Sequence, residues 1–271
     1  MSLFCNNSVA LVDLSNIVHR LWHIHPTEFE LNFVKWLASI RTAMPGRKLI
    51  FAIEGCGTAR RREIFPDYKM NREHKPEIEV AVDQAKAIVK HCDGTIIKAV
   101  DAEADDAIAT WVKTAEQPCD IIIITRDHDL WQLIRPGVLV KAFAAGDPPF
   151  IDSNVCERVM GVRPRHIPML KALLGDKSDN IPRAVPKLKT ELLTRLAARI
   201  ETPMELEEAL TADEFRGTSE AILACKTTIE RNWKITQLFQ PEIKRKQYQA
   251  DLDFFKAFTT ADIRSASGSK L

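Results

Sequence analysis

A central, mostly parallel β-sheet flanked by helices is the architecture this sequence predicts, and three observations predict it. Short runs rich in Val, Ile and Leu alternate with stretches of helical period. Hydrophobic residues make up 45% of a 271-residue chain, enough for a substantial core in one or two domains. Four of the five candidate strands end at or just before an acid.

Taken in order, the strands are 8–13, ending in Asp13; 48–54, ending in Glu54; 95–100, followed by Asp101; 120–125, whose four isoleucines lead to Asp127; and 138–143. Between the second and third lies a charged segment, residues 56–95, of two brief helical stretches. Its charge and weak apolar periodicity predict order only on substrate. Parallel strands place their C-terminal ends along one edge, the edge at which open sheets bind ligands, so the acids are expected to meet in one crevice. A single acid at a strand end also serves as a turn former or helix N-cap.

Sets of acids carry more weight. Asp101, Glu103, Asp105 and Asp106 put four carboxylates into six residues at the start of a helical stretch, more than the helix dipole needs. Glu103 and Asp106 share a helical face, and Asp105 is turned from Asp106 by about 100°. Asp127 and Asp129 bracket a turn, where their repulsion calls for a cation between them. Asp176 and Asp179 lie in a tight Gly–Asn–Pro loop. Hard oxygen ligands without nearby cysteine suit Mg²⁺ or Mn²⁺.

With 38 basic against 37 acidic residues the formal net charge is +1, which excludes a uniformly basic polyanion binder and leaves local segregation. Residues 60–75 hold six cations (Arg60, Arg61, Arg62, Lys69, Arg72, Lys75) against three acids (Glu63, Asp67, Glu73), a local excess of +3. This stretch, and Arg183, Lys187 and Lys189 after the late acidic loop, are the candidate phosphate contacts. Lys234, Lys244, Arg245 and Lys246 are read as solubility charge. Many carboxylates with two divalent ions about 4 Å apart suit in-line hydrolysis of a phosphodiester. No Walker glycine loop, G-x-S-x-G or H-E-x-x-H is found.

The six cysteines show no paired or metal-finger spacing and are expected to be reduced. Neither a secretory leader nor a run of about 18 apolar residues is evident, so a soluble cytoplasmic protein that makes no use of a membrane is expected. The closing Ser269-Lys270-Leu271 matches a peroxisomal address at a length that chance supplies.

The ordered set Asp13, Glu54, Phe65-Pro66-Asp67-Tyr68-Lys69-Met70-Asn71-Arg72, Glu103-Ala-Asp105-Asp106, Thr125-Arg126-Asp127-His128-Asp129 and Gly175-Asp176-Lys177-Ser178-Asp179-Asn180-Ile181-Pro182 resembles the flap endonuclease family. It is most similar to the 5′→3′ exonuclease domain of bacterial DNA polymerase I and to bacteriophage 5′-nucleases. The resemblance spans about residues 8–200 and implies a PIN-like fold with a helical arch, for which 56–95 is the candidate, and a C-terminal helical DNA-binding region. It also implies Mg²⁺-dependent cutting of 5′ ends, 5′ flaps and RNA–DNA junctions. Asp13, Glu103, Asp105 and Asp106 would surround one metal, with Asp127, Asp129, Asp176 and Asp179 around the other and Glu54 close by. Lys69 and Arg72 would contact the scissile phosphate, and Tyr68 would stack on the terminal base or pack internally.

Two departures stand out: Glu54 replaces the family's usual Asp, and Arg183-Ala-Val-Pro-Lys187 lacks the glycines of the hairpin that binds duplex through K⁺, so that K⁺ site is not carried over. The domain organisation expected is a nuclease core over 1–150, a helical region over 151–260 that completes the metal site and binds duplex, and a flexible tail over 261–271. The protein is expected to act as a monomer in a bacterial or phage-infected cell, with replication proteins as the partners the resemblance suggests. A non-catalytic nucleic-acid-binding relative and a small PIN-type ribonuclease are the alternatives. The retained acids argue against the first, and the region beyond residue 150 against the second.

Overall fold

Strands rich in β-branched residues on both faces can be stable only if both faces are covered, and that requirement organises the molecule. The structure, a computed structural model, describes residues 8–55, 57–115, 118–142, 150–249 and 254. The tail over 261–271, Cys5 and Cys56 lie outside the described residues. Strand β1 (Ser8–Asp13) leads into helices α1 (Leu14–Ile24) and α2 (Phe29–Ala43), then strand β2 (Lys48–Ile53). Helices α3 (Ala59–Ile64) and α4 (Pro76–Val89) precede β3 (Gly94–Ala99), α5 (Ala104–Thr114) and β4 (Asp120–Ile124). A 3-10 turn over His128–Leu133 joins β4 to β5 (Val138–Lys141). Helices α6 (Ser153–Met160), α7 (Ile167–Leu174), α8 (Thr190–Ala197), α9 (Leu206–Ala209), α10 (Ser219–Leu223) and α11 (Lys226–Thr236) follow, and the chain returns as β6 (Ile243–Tyr248).

The six strands form one sheet in the order β5-β4-β1-β2-β3-β6, parallel except for β6, which pairs antiparallel with β3. Alternation along each strand splits the core in two. Leu11, Ile121 and Ile123 face the layer containing α5, α7 and α8, whereas Val12, Ile122 and Ile124 face α1, α2 and α4. From β1 the chain steps outward through β2 to β3, then crosses back to β4 on the other side of β1. The carboxyl ends of β1 and β4 therefore flank the switch point where open α/β sheets form a crevice.

All five expected strands are present, within two residues of their expected ends where described. One feature differs from expectation. Within 57–95 a regular apolar stripe replaces the weak periodicity expected: Ile78, Ala81, Ala85, Ile88 and Val89 of α4 are buried, the last four in the core beside α1 and α2. Small alanines between charged residues masked a regular apolar stripe. Lys244, Arg245 and Lys246, read as solubility charge, form the middle of β6 at the sheet edge.

Candidate active site

At the switch point, Asp13 closes β1 and caps α1, accepting from the Asn16 amide at 3.2 Å and from the Thr125 hydroxyl at 2.9 Å. Thr125 also accepts from the Asp127 amide at 3.0 Å, and Asp127 accepts from the Asp129 amide at 2.8 Å. One threonine hydroxyl thus ties the end of β1 to the turn after β4. Burial, then the nearby Asp127 carboxylate, pushes Asp13 up to about 7. Asp105, one residue into α5, is driven well above the ordinary carboxylate value by burial and by Asp127 and Asp13. These three acids face each other with neutral donors and no ion pair among the described residues.

Glu103, Asp106, Asp176 and Asp179 are held differently. Arg61 of α3 is 4% exposed and Asp106 0%. The guanidinium grips both Asp106 oxygens at 2.7 and 2.9 Å, reaches Glu103 at 2.7 Å, and donates to the Ile235 and Gln237 carbonyls at 3.0 and 3.1 Å. Asp106 also accepts from the Phe239 amide at 2.8 Å and completes a capping box with Glu103. Every oxygen of Asp106 is therefore satisfied inside the protein. Glu103 additionally pairs with Lys69 and accepts from the Tyr68 hydroxyl at 3.0 Å. Against the opposing effect of burial, Lys69 and Arg61 hold Glu103 below the usual glutamate range.

The late loop follows the same pattern. Gly175 closes α7 at φ +76°, and a Cβ there would lie 2.6 Å from the Arg183 amide nitrogen and the Ile181 carbonyl oxygen, so glycine is required. Beyond it, Asp176 accepts from the Ser178 amide and hydroxyl at 2.8 and 2.6 Å and from Lys171 at 2.7 Å. Burial opposes ionisation, but Lys171 and Ser178 hold Asp176 down to about 2. Asp179 accepts from Arg72 at 2.7 Å and from Tyr68 at 3.0 Å. Lys171 also pairs with Asp129, where burial and Asp127 nevertheless raise the carboxyl to about 7.

Two motifs far apart in sequence are clipped together here. The Lys69 amide donates to the Asp179 carbonyl at 3.0 Å, Asn71 to the Lys177 carbonyl at 2.8 Å, and Asn180 to the Asp67 carbonyl at 2.7 Å. Lys69 and Asn180 both take the left-handed conformation, at φ 55° and 60°, which the clip requires.

The expected site residues separate by placement. Asp13, Asp105, Asp127 and Asp129 gather at the switch point, and one oxygen each of Asp129, Asp176 and Asp179 lie within 4.8 Å of one another. Glu54 stands at the rim and accepts from the Ala104 amide at 3.2 Å. Of the two roles expected for Tyr68 its burial fits packing, and two other expectations are altered. Tyr68 is 3% exposed with its hydroxyl turned to the acids, so its ring is packed internally and offers no base-stacking face. Arg61 is buried and committed to Asp106 and Glu103, and Asp106 is consumed by it. Of the other cations, Arg60 lies over the Phe239 ring at 4.1 Å, Arg62 donates to the Tyr68 carbonyl, and Lys75 is exposed at the cap of α4. Arg183 turns back onto the Val185 and Leu188 carbonyls at 3.3 and 2.8 Å, whereas Lys187 and Lys189 are exposed.

The donor set fits a divalent cation: hard carboxylate oxygens, those of Asp13, Asp105 and Asp127 without an ion pair among the described residues, and no thiol among them. Lys171 and Thr125 were not identified from sequence. Thr125 lay within the quoted Thr-Arg-Asp-His-Asp run; Lys171 is five residues before Asp176, a spacing with no local signature. Among the described residues, no helix is long and apolar enough to cross a membrane.

Comparison with known proteins bears on this geometry. Residues 8–160 match the family described as 5′-3′ exonuclease, N-terminal resolvase-like domain. A 5′-3′ exonuclease of Aquifex aeolicus is 27% identical over 243 residues, covering 88% of this chain and 74% of that protein. DNA polymerase I of Pseudomonas aeruginosa is 27% identical over 88% of this chain, which spans only 29% of the polymerase. Among solved structures, a bacteriophage T5 flap endonuclease in a pseudo-enzyme–product complex with DNA and metal ions superposes with a TM-score of 0.70. The identity is 18%, with coverage of 85% of this chain and 89% of that one, a likeness of fold.

Proposed function

The chain belongs to the 5′-3′ exonuclease family, a family of nucleases, and from that premise we propose that it hydrolyses phosphodiesters in DNA bearing 5′ ends or 5′ flaps. RNA primers annealed to DNA fall within the same reading. The observation that carries it is the set of carboxylates without an ion pair at the switch point, buried Asp13 with half-buried Asp105 and Asp127, beside the inward-turned Lys69. Two divalent ions, Mg²⁺ or Mn²⁺, are proposed. Asp13, Asp105 and Asp127 would hold charge on one side, and Asp129, Asp176 and Asp179 on the other, with Glu54 and Glu103 bordering both. When bound, such ions supply activation of the attacking water and stabilisation of the charge that develops on the phosphate.

The chain's own residues do the positioning. Burial works against the Lys69 ammonium, yet Glu103 and Asp179 raise it above the ordinary lysine value, so it stays charged at the crevice wall. Arg72 is likewise raised by Asp179 against the effect of burial. Both cations would orient a phosphate and offset its charge. Arg61 and Asp106 fix Glu103 from behind and touch no substrate. The test is cleavage of an end-labelled 5′-flap duplex with Mg²⁺ or Mn²⁺. The wild type should release the flap and Asp127→Asn should lose at least about 100-fold in rate. A wild type that leaves the flap intact, or an Asp127→Asn variant as fast as wild type, overturns the proposal.

A further inference from the structure

The outer sheet edge has a charge arrangement that the crevice does not explain. In the antiparallel β3–β6 pair, Lys98 stands directly opposite Lys244, and Lys246 lies two residues further along the same face. Directly opposed like charges destabilise a strand pair. All three side chains are exposed, and among the described residues none has an acidic partner, although Glu242 shares their face and Lys246 lies over the Tyr248 ring at 5.3 Å. Some other surface cations are paired, as Arg47 is with Asp120 at 2.6 Å and Lys226 with Glu207 at 2.8 Å. Arg245, between the lysines, points to the other face and lies over the Trp111 ring at 5.3 Å. Charge on an edge strand also discourages edge-to-edge association. That purpose does not call for one lysine placed squarely against another on the adjacent strand.

The location gives the arrangement a direction. Lys98 is in register with Ile53, the residue before Glu54, so the lysines begin one strand away from the rim of the acidic crevice. Because β6 runs antiparallel to β3, Lys246 lies further from that rim than Lys244, by about 6.8 Å. Opposed Lys98 and Lys244 have Cβ atoms about 5 Å apart. Together they form a small cationic face leading away from the crevice, with no countercharge supplied by the described residues.

We propose that Lys98, Lys244 and Lys246 form a second backbone-binding rail for the DNA substrate, taking phosphates that flank the cleaved bond. The proposal rests on the nuclease reading above and extends it to a surface outside the crevice. Binding of a phosphate between Lys98 and Lys244 removes the repulsion that the folded protein otherwise retains. Contacts of this kind carry affinity and register, and no base sequence.

The experiment measures equilibrium binding of a fluorescent 5′-flap duplex by the full chain in EDTA, at several salt concentrations, for wild type and K98Q/K244Q/K246Q. The triple variant should bind roughly tenfold more weakly at moderate salt, and the slope of log affinity against log salt should fall by about 3. K98R/K244R/K246R should restore both, and Arg245→Gln on the opposite face should change neither. Identical affinity and slope in wild type and triple variant overturn the rail, as does weaker binding with an unchanged slope, which would report damage to the fold. Wild-type cleavage of the same flap in Mg²⁺ is scored separately. Its absence would defeat the nuclease reading, while loss of the slope difference alone would defeat only the rail.

Discussion

Two halves of one acidic crevice solve the same electrostatic problem in opposite ways. Around Glu103, Asp106, Asp176 and Asp179 the protein supplies its own cations: Arg61, Lys69, Lys171 and Arg72 are all within ion-pair distance. Around Asp13, Asp105 and Asp127 it supplies only hydroxyl and amide donors, and the acids burden one another. Crowded carboxylates without an ion pair cost stability in the empty protein, and a fold tolerates that where an external cation is to be bound. The contrast assigns different duties to acids that look alike in sequence.

The strongest way to break the contrast is to remove the internal cation that serves two acids. Arg61→Ala leaves Asp106 and Glu103 buried without their shared partner, a loss of about 3–5 kcal/mol. The thermal midpoint should drop by about 10 °C or more. Asp127→Asn, in the same metal-free melt, should raise the midpoint because it relieves Asp13 and Asp105. Movement of the two midpoints in the same direction would dissolve the distinction between the halves.

A smaller effect follows from pH. Asp176 sits at about 2, so its contribution is present above the ordinary carboxylate range and is lost as pH falls toward 2. Asp13 and Asp129 are raised to about 7, so their contribution has the opposite sign. It is complete below about 4 and is lost as pH rises through 7. In EDTA these two acids should therefore lower the melting temperature between pH 4 and pH 7, and saturating Mg²⁺ or Mn²⁺ should remove that decline. Asp13→Asn should flatten it in EDTA. A decline of equal size in that variant would show that another group is responsible.

Much of this was readable before any fold was known, and the exceptions have physical causes. Ile121 to Ile124 announced a strand covered on both faces, and the acids after it marked the crevice edge. Local sequence could not reveal which of Arg60, Arg61 and Arg62 turns inward, since three adjacent helical positions point about 100° apart and the choice depends on Asp106, 45 residues away. Lys171 met Asp129 only through the packing of α7 beneath the turn after β4. Strand β6, with Lys-Arg-Lys at its centre, carries no apolar alternation, because an edge strand need not bury its outer residues. Periodicity reports burial, so it is silent where an element is held mainly by backbone pairing.

The mildest perturbation concerns Tyr68, which joins the internally compensated acids to each other. Its hydroxyl lies 3.0 Å from both Glu103 and Asp179, yet a phenol has one proton to donate. Each carboxylate also has a cationic partner, Lys69 and Arg61 for Glu103 and Arg72 for Asp179, so neither is left bare when the hydroxyl is removed. Tyr68→Phe keeps the buried ring and should cost only about 1 kcal/mol, or about 2–4 °C in melting temperature. If the hydroxyl instead carries one of these acids alone, the loss will approach that of Arg61→Ala. Comparison of the two melts then separates a shared, redundant contact from an essential one.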